Sequence, residues 1–389
     1  MKHAPLHTRF LCFAVLLLIA SSLGCHGRAD KVRITLRVVP PKSTPPGDTL
    51  YVAGSVVELG MWSPNGLALN PGADGVWSVT RAFPSSMPVE FKITRGTWET
   101  EAIYEAGQIP GNTRMMPVHD TTVTLTPVTW RDQMPRPPGG IHGMARYHRQ
   151  LSGSGLKYRR DVIVWLPPSY AKNPRRRYPV LYMHDGQNVF DPSTATIGRD
   201  WRADEVADSL IHAGSVEEMI IVAINNSADR MVEYSETVQG RAYAGFVVHT
   251  VKPMIDSLYR TKRGPHDTAV MGSSMGGLIS FLFIWWHPDV FGKAGCLSSV
   301  FHRRHSSVLD SVSRMEPGSR TMKLYIDCGG SGGDETLKPG MDEMADLLGQ
   351  KGFREGEEFA MYYDPRAEHN EPAWSARLWR PFTFLFPRN

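Results

Sequence analysis

The sequence predicts two folded units, a small all-β sandwich followed by an α/β domain on a mainly parallel, doubly wound sheet. Three observations carry this. Residues 31–128 form short β-type runs separated by Pro/Gly turns, with no helical period. Residues 127–141 (PVTWRDQMPRPPGGI) gather Pro and Gly, which continue neither a ladder nor a helix. From about residue 142, apolar runs of strand length alternate with amphipathic stretches, the pattern of a sheet covered on both faces. The 389 residues have room for this division, at ~100–200 residues per domain.

The chain opens on a targeting segment. Lys2 and Arg9 flank an apolar run from Phe10 to Ala20, which is short for a bilayer span and of the right length for a secretory h-region. Residues 1–27 are therefore expected to be a signal peptide. Cleavage falls after Ser22 or before Cys25, where Ser22-Leu23-Gly24-Cys25 is similar to a bacterial lipobox. The expected location is extracytoplasmic, with membrane anchoring only through a lipid on Cys25.

The sandwich is expected over residues 30–127. Its strands are read at Val32–Val38, Thr49–Ala53, Val76–Thr80, Val89–Thr94 and Thr121–Leu125, with Pro45-Pro46-Gly47-Asp48 and Pro71-Gly72-Ala73-Asp74-Gly75 as turns. The linker is set at 128–141. In the following domain, 142–389, strands are expected near 144–149, 161–166, 180–184, 219–224, 268–272, 294–298, 322–327 and 359–363. Helices are expected near 202–212, 241–259, 276–286, 340–351 and 372–385. The first two strands form an antiparallel lead-in, giving the α/β-hydrolase arrangement.

Charge supports no nucleic-acid partner. The 43 Lys and Arg against 39 Asp and Glu leave +4, with the cations dispersed, and Arg175–Arg177 reads as a solvated loop. No C-x-x-C or His/Cys spacing indicates a metal, and no cofactor is expected. Cys296 and Cys328 sit in or beside strands; export would permit a bridge, but small buried hydrophobes are the commoner outcome.

The chemistry centres on Ala269-Val-Met-Gly-Ser-Ser-Met-Gly-Gly277. Only Gly272-Ser273-Ser274-Met275-Gly276 fits G-x-S-x-G, a strand-to-helix elbow whose flanking glycines avoid Cβ collisions with neighbouring strands. Ser274 is the candidate nucleophile. The fold then requires an acid and a histidine, in that chain order. His369 lies in a polar loop between the last strand and the final helix, where ligands meet such sheets. Its rival His184 precedes the nucleophile. Asp334, in the Gly-rich loop after Lys323–Asp327, is the candidate acid, with Asp327 and Glu335 as alternatives. The oxyanion hole is expected from the N–H of Met275 and, across His184-Asp-Gly-Gln-Asn188, from Gln187 after the permissive Gly186.

Two resemblances add to this reading. Tyr51-Val-Ala-Gly-Ser-Val-Val-Glu-Leu-Gly-Met-Trp-Ser63, Gly75–Val79, Glu90-Phe-Lys92 and Thr97-Trp-Glu99 resemble the starch-binding carbohydrate-binding module of family 20. That likeness implies a sugar platform at Trp62, Lys92 and Trp98. Exposed tryptophans offer rigid flat faces to a pyranose, whereas partly buried ones are core; Trp77 is assigned to the core.

The later half carries Val164-Trp-Leu-Pro-Pro-Ser-Tyr170, Tyr182-Met-His-Asp-Gly-Gln-Asn-Val-Phe190, Gly198-Arg-Asp-Trp201, His287–Gly292 and Glu368-His-Asn-Glu-Pro-Ala-Trp374. With the elbow, these resemble the esterase family that includes esterase D, siderophore esterases, mycolyltransferases and carbohydrate esterase family 1. The resemblance implies a serine esterase forming an acyl-enzyme. The expected substrate is an acetyl or feruloyl-type ester on a polysaccharide or glycoside. A siderophore or small-ester hydrolase, an acyltransferase, and a non-catalytic glycan-binding protein are the other readings. The bulky run Phe281–Trp286 is expected to pack the elbow helix into the core.

Overall fold

The computed structural model describes residues 31–388 apart from 106, 107, 109, 304 and 305. Residues 1–27, read above as a signal peptide, and Cys25 among them lie outside the described residues. Among the described residues no helix is long and apolar enough to cross a membrane.

The first unit is a β-sandwich. One sheet orders Asn70–Pro71, Trp77–Pro84, Lys31–Val38 and Thr121–Leu125, the last pair parallel; the other orders Leu67–Ala68, Tyr51–Gly54, Val89–Thr94 and Thr113–Met115. Alternation puts Val89, Phe91 and Ile93 into a core with Ile34, Leu36, Val52 and Phe83. Glu90, Lys92 and Thr94 therefore face outward. Trp77 packs against that core, as expected.

The first linker residues belong to the sandwich. Thr129–Trp130 pairs with Ala102–Ile103, and Trp130 is fully buried with its Nε1 donating to Thr44 Oγ1 at 2.9 Å. A large apolar ring outweighs the neighbouring prolines, so the connecting stretch begins after the short turn Arg131–Gln133.

The second unit is an eight-stranded sheet. In spatial order its strands are Met144–Leu151, Arg160–Leu166, Ile220–Ile224, Val180–His184, Thr268–Ser273, Lys293–Leu297, Lys323–Gly329 and Phe359–Asp364. Arg160–Leu166 is antiparallel to both neighbours and the later pairs are parallel, as the lead-in requires. The chain runs from Val180–His184 out to one side and returns on the other at Thr268–Ser273. That reversal opens a crevice at the carboxyl ends of these two strands, the usual ligand position in such sheets.

In this unit strand ends match the sequence reading to within two residues, whereas in the sandwich the strand expected to end at Thr80 runs on to Pro84, and two helices differ. The stretch near 241–259 is a helix Val238–Phe246, a π-turn segment Val247–Val251 and a helix Lys252–Leu258. Pro253 lacks an N–H for the ladder, which accounts for the local rewinding. The last helix is two, Glu371–Arg377 and Trp379–Leu385. The elbow helix Met275–Trp286 is buried through Ile284, with Phe281 stacked on Trp285, so the bulky run packs the core. Cys296 and Cys328 are buried free thiols.

Candidate active site

Ser274 follows its strand directly and takes φ 57°, ψ −123°, a conformation unusual for a residue with a Cβ. A Cβ on Gly272 would lie 2.8 Å from the Gly276 backbone, so the strand end and the helix start touch each other. This revises the expected reason for the glycines. A Cβ on Gly276 itself would be in ordinary contact with Asp185 and His184, at 3.4 and 3.7 Å, whereas one on Gly277 would press on Ser299 at 3.0 Å. Asp185 (φ 56°) and Ser298 (φ 42°) likewise turn left-handed immediately after Val180–His184 and Lys293–Leu297. Three strand exits at this edge share a positive φ, although ψ is −123° at Ser274 and 46° at Asp185.

The Asp334 loop is shaped by glycine. Gly332 and Gly333 have φ of 61° and 105°, and a Cβ on Gly329 would fall 2.3 Å from the Ala367 carbonyl oxygen. The loop thus lies flat against the segment carrying His369. Asn370 fixes that segment by capping Glu371–Arg377, its side chain accepting from the Ala373 N–H at 3.0 Å, with Pro372 in the first turn. His369 stands one residue before the cap.

The structure brings His369 and Asp334 together through a hydrogen bond from Nδ1 to Oδ1. Asp334 is wholly buried, and its Oδ2 accepts from Ser298 Oγ and the Gly329 N–H, both at 2.6 Å. Burial alone would raise this carboxyl. His369, the Ser298 hydroxyl and Arg377 outweigh that and hold it below the usual carboxylate range. Ser298 Oγ in turn accepts from Trp374 Nε1 at 2.9 Å and Arg377 Nη2 at 2.7 Å. Arg377 Nε is 2.9 Å from Asp327 Oδ2. Asp327 therefore anchors the support behind Asp334, and Glu335 is drawn away to Arg114 of the sandwich. Ser274 joins the cluster through its backbone, its N–H donating to the Leu297 carbonyl at 2.9 Å.

Gly186 approaches the backbone of Ile224 so closely that a Cβ would sit 2.6 Å away. Gln187 is inside a 3-10 turn and Met275 begins a helix, so neither N–H has a partner within its own first turn. The Asp185 carboxylate holds the loop, accepting from Arg230 at 2.7 and 2.8 Å and from Asn226 at 2.6 Å. His184 is buried among Tyr234, Tyr243 and Phe283, its Nδ1 paired with Tyr243 Oη at 2.7 Å; burial lowers its pKa to about 3. It is a neutral core residue.

Glu371 links the two sides, accepting from Asn188 Nδ2 at 3.1 Å. Burial first, and then the charge of Asp185, raise its pKa to about 7. A carboxyl raised in the folded state binds more protons there than when unfolded, so stability falls as pH rises from the unfolded value of about 4.3 towards 7. Glu371→Gln is expected to flatten that fall. Its melting temperature relative to wild type should rise between pH 5 and pH 8, and an unchanged difference would show that Glu371 titrates normally.

In the sandwich, Trp62 and Trp98 are half-buried and stand outside the core cluster that takes Trp77. Gly60, Met61 and Trp62 all have positive φ, of 79°, 48° and 63°. Lys92 donates to Glu101 and to the Pro110 carbonyl, which leaves one of its three N–H bonds. Among the described residues, Asp200, Asp204 and Glu205 are close enough to hold a metal ion, within 4.8 Å of one another. Burial and then Glu205 push Asp204 up to about 8, so a proton between the two carboxyls already relieves their repulsion.

Sequence reasoning missed Ser298, Arg377, Asp185–Arg230 and Glu371. The signal for Arg377 was a charge set among Trp374, Ala376, Leu378 and Trp379 in a largely apolar final segment, and Asp185 lay unremarked inside the oxyanion loop.

Comparison with known proteins places both units in known families. The family model described as Putative esterase matches residues 153–385, and that of the Starch binding domain matches 31–125. The chain is 21% identical over 250 residues to the Bacillus subtilis uncharacterized protein YbbA, covering 59% of this chain and 94% of that protein. It is 25% identical over 195 residues to an endo-1,4-beta-xylanase/feruloyl esterase of Xylanibacter ruminicola, covering 49% of this chain and only 25% of that protein. A solved ferulic acid esterase aligns with a TM-score of 0.52 at 22% identity, covering 62% of this chain and 98% of its own. The enterobactin esterase FES of Shigella flexneri aligns at 0.51 and 13% identity over 87% of this chain and 88% of its own. At these identities the structural likenesses establish the fold. With its family model spanning more than half of the residues, the chain belongs to the Putative esterase family of carboxylic ester hydrolases and carries a starch-binding type domain ahead of the catalytic one.

Proposed function

We propose that this is an exported serine esterase that removes acyl groups, of acetyl or feruloyl type, from carbohydrate. The observation that carries the reading is the Asp334–His369 hydrogen bond on the same sheet edge as the strained Ser274. Ser274 Oγ attacks the ester carbonyl while His369 takes its proton, and Asp334 fixes the imidazole with Nε2 free to accept. The N–H groups of Met275 and Gln187, the latter placed by Gly186, receive the oxyanion. His369 then protonates the leaving alcohol, and water hydrolyses the acyl-enzyme by the same route.

The carbohydrate assignment rests on the starch-binding type domain, on its half-buried Trp62, on a turn of positive φ, and Trp98, and on the feruloyl esterase relative. Export, with or without a lipid on Cys25, rests on the leader's composition. A panel of acetylated and feruloylated oligosaccharides and a catechol siderophore ester, offered to the purified protein, tests the reading. The sugar esters are expected to be turned over with a kcat/KM at least about tenfold higher. Preference for the siderophore ester would overturn the carbohydrate assignment and leave the esterase chemistry intact.

A further inference from the structure

We propose that the tryptophan platform of the sandwich and the Ser274–His369 cleft hold one and the same glycan, so that the starch-binding type domain is a substrate subsite and not a tether. This rests on the sugar-ester reading above.

The outward face of Val89–Thr94 runs from the catalytic domain to the platform. At one end, Glu90 lies opposite Arg114 on the neighbouring strand and accepts from its Nε at 2.7 Å, while Arg114 also binds Glu335 in the acid loop. Asn112 Nδ2 donates to Glu90 at 2.9 Å. A Cβ on Gly333 of that loop would stand 3.1 Å from Asn112 Nδ2, 3.2 Å from Glu90 Oε2 and 4.0 Å from His369 Cβ. Sandwich side chains thus wall off the acid loop next to His369, and Glu90 is buried although it points away from its own core.

Lys92 follows two residues later on the same face, about 7 Å along the strand. It binds Glu101, the residue that closes the turn carrying Trp98. Thr94, next on that face, donates to the Pro64 carbonyl in the turn carrying Trp62. The platform therefore begins one strand step from the wall of the cleft.

The direction of the chemistry fits this placement. His369 protonates the leaving alcohol, so the alcohol portion of the ester must lie on the His369 side, which is the side the sandwich walls. A glycan that is the alcohol component would extend from there over Glu90 towards Lys92, Trp62 and Trp98. A tether would need slack to raise local concentration, and the connection is fixed at both ends. Trp130 is locked into the sandwich, Arg131 binds Glu101, Arg136 Nη1 donates to the Ser193 carbonyl at 2.8 Å, and Gly139 lies against Ser193 and Asp191. The substrate class is an acylated oligosaccharide whose ester lies a few sugar units from the ring stacked on the platform.

The test uses the full chain and soluble maltooligosaccharides of increasing length, mono-acetylated or unmodified. On the acetylated series kcat/KM is expected to climb at least tenfold with length and then level off. Unmodified chains past the same length should compete with p-nitrophenyl acetate, with an inhibition constant raised at least tenfold in Trp62→Ala. Length-independent kcat/KM together with no inhibition of p-nitrophenyl acetate would overturn the shared subsite. If p-nitrophenyl acetate is cleaved and no acetylated glycan of any length is, the sugar-ester reading itself has failed, and the proposal with it.

Discussion

Ser274→Ala is expected to lower kcat on p-nitrophenyl acetate by at least about 10⁴-fold, because the residual rate without a nucleophile comes only from the oxyanion donors and binding. The change removes Oγ alone and keeps the Cβ that the φ 57° turn already accommodates, so loss of activity should come without loss of fold. Ser273→Ala is the internal control. Ser273 ends the buried strand before the elbow and should retain activity to within a few-fold. Equal losses in both variants, or activity in Ser274→Ala within tenfold of wild type, would remove Ser274 from the mechanism.

Asp334→Asn is expected to cost about 10⁴ in kcat while leaving the geometry nearly intact. Oδ2 of Asp334 accepts from both Ser298 Oγ and the Gly329 N–H, so an asparagine must turn its carbonyl oxygen that way. Its amide then faces His369 Nδ1 and obliges that nitrogen to accept. The imidazole proton moves to Nε2, the atom that should receive the serine proton. Asp334→Ala leaves Nδ1 without either partner and should retain more activity than Asp334→Asn, provided it folds. Stopped-rate assays at pH 8 with both variants check this. An Asn variant as active as wild type would show that the carboxylate plays no part. The depressed carboxyl of Asp334 also contributes stability above an unfolded pKa of about 3.9, and that contribution is lost as pH falls through its lower folded value.

Much of the fold was legible because apolar runs and turn residues recur with the right period. The candidate residues were legible because each sits at a punctuation mark: Ser274 between glycines, Asp334 after a glycine run, and His369 one residue before an Asn cap. What the sequence concealed was mutual support. Nothing in the spacing of Ser298, Asp327 and Arg377 announces that they form a single hydrogen-bonded backing for Asp334, since they come from three elements that meet only in space. The placement of the sandwich was hidden for the same reason. Glu90 looked like one polar position in an alternating strand, and only the folded chain shows that the catalytic domain covers it. Trp130 was misread with its linker because Pro127 and the run from Pro135 bracket it, whereas its burial depends on a strand 28 residues earlier in the register Trp130 to Ala102.

The left-handed residues at Asp185, Ser274 and Ser298 lie side by side on consecutive strand exits. Each such conformation costs on the order of 1–3 kcal/mol, so the rim that carries the candidate site is built from a loaded backbone. Asp185 and Ser298 offset that cost through the hydrogen bonds of their side chains to Arg230, Asn226, Asp334, Trp374 and Arg377, so selection for heat resistance alone, with no demand for turnover, should drift towards glycine at Ser274 and yield sturdier, inactive descendants.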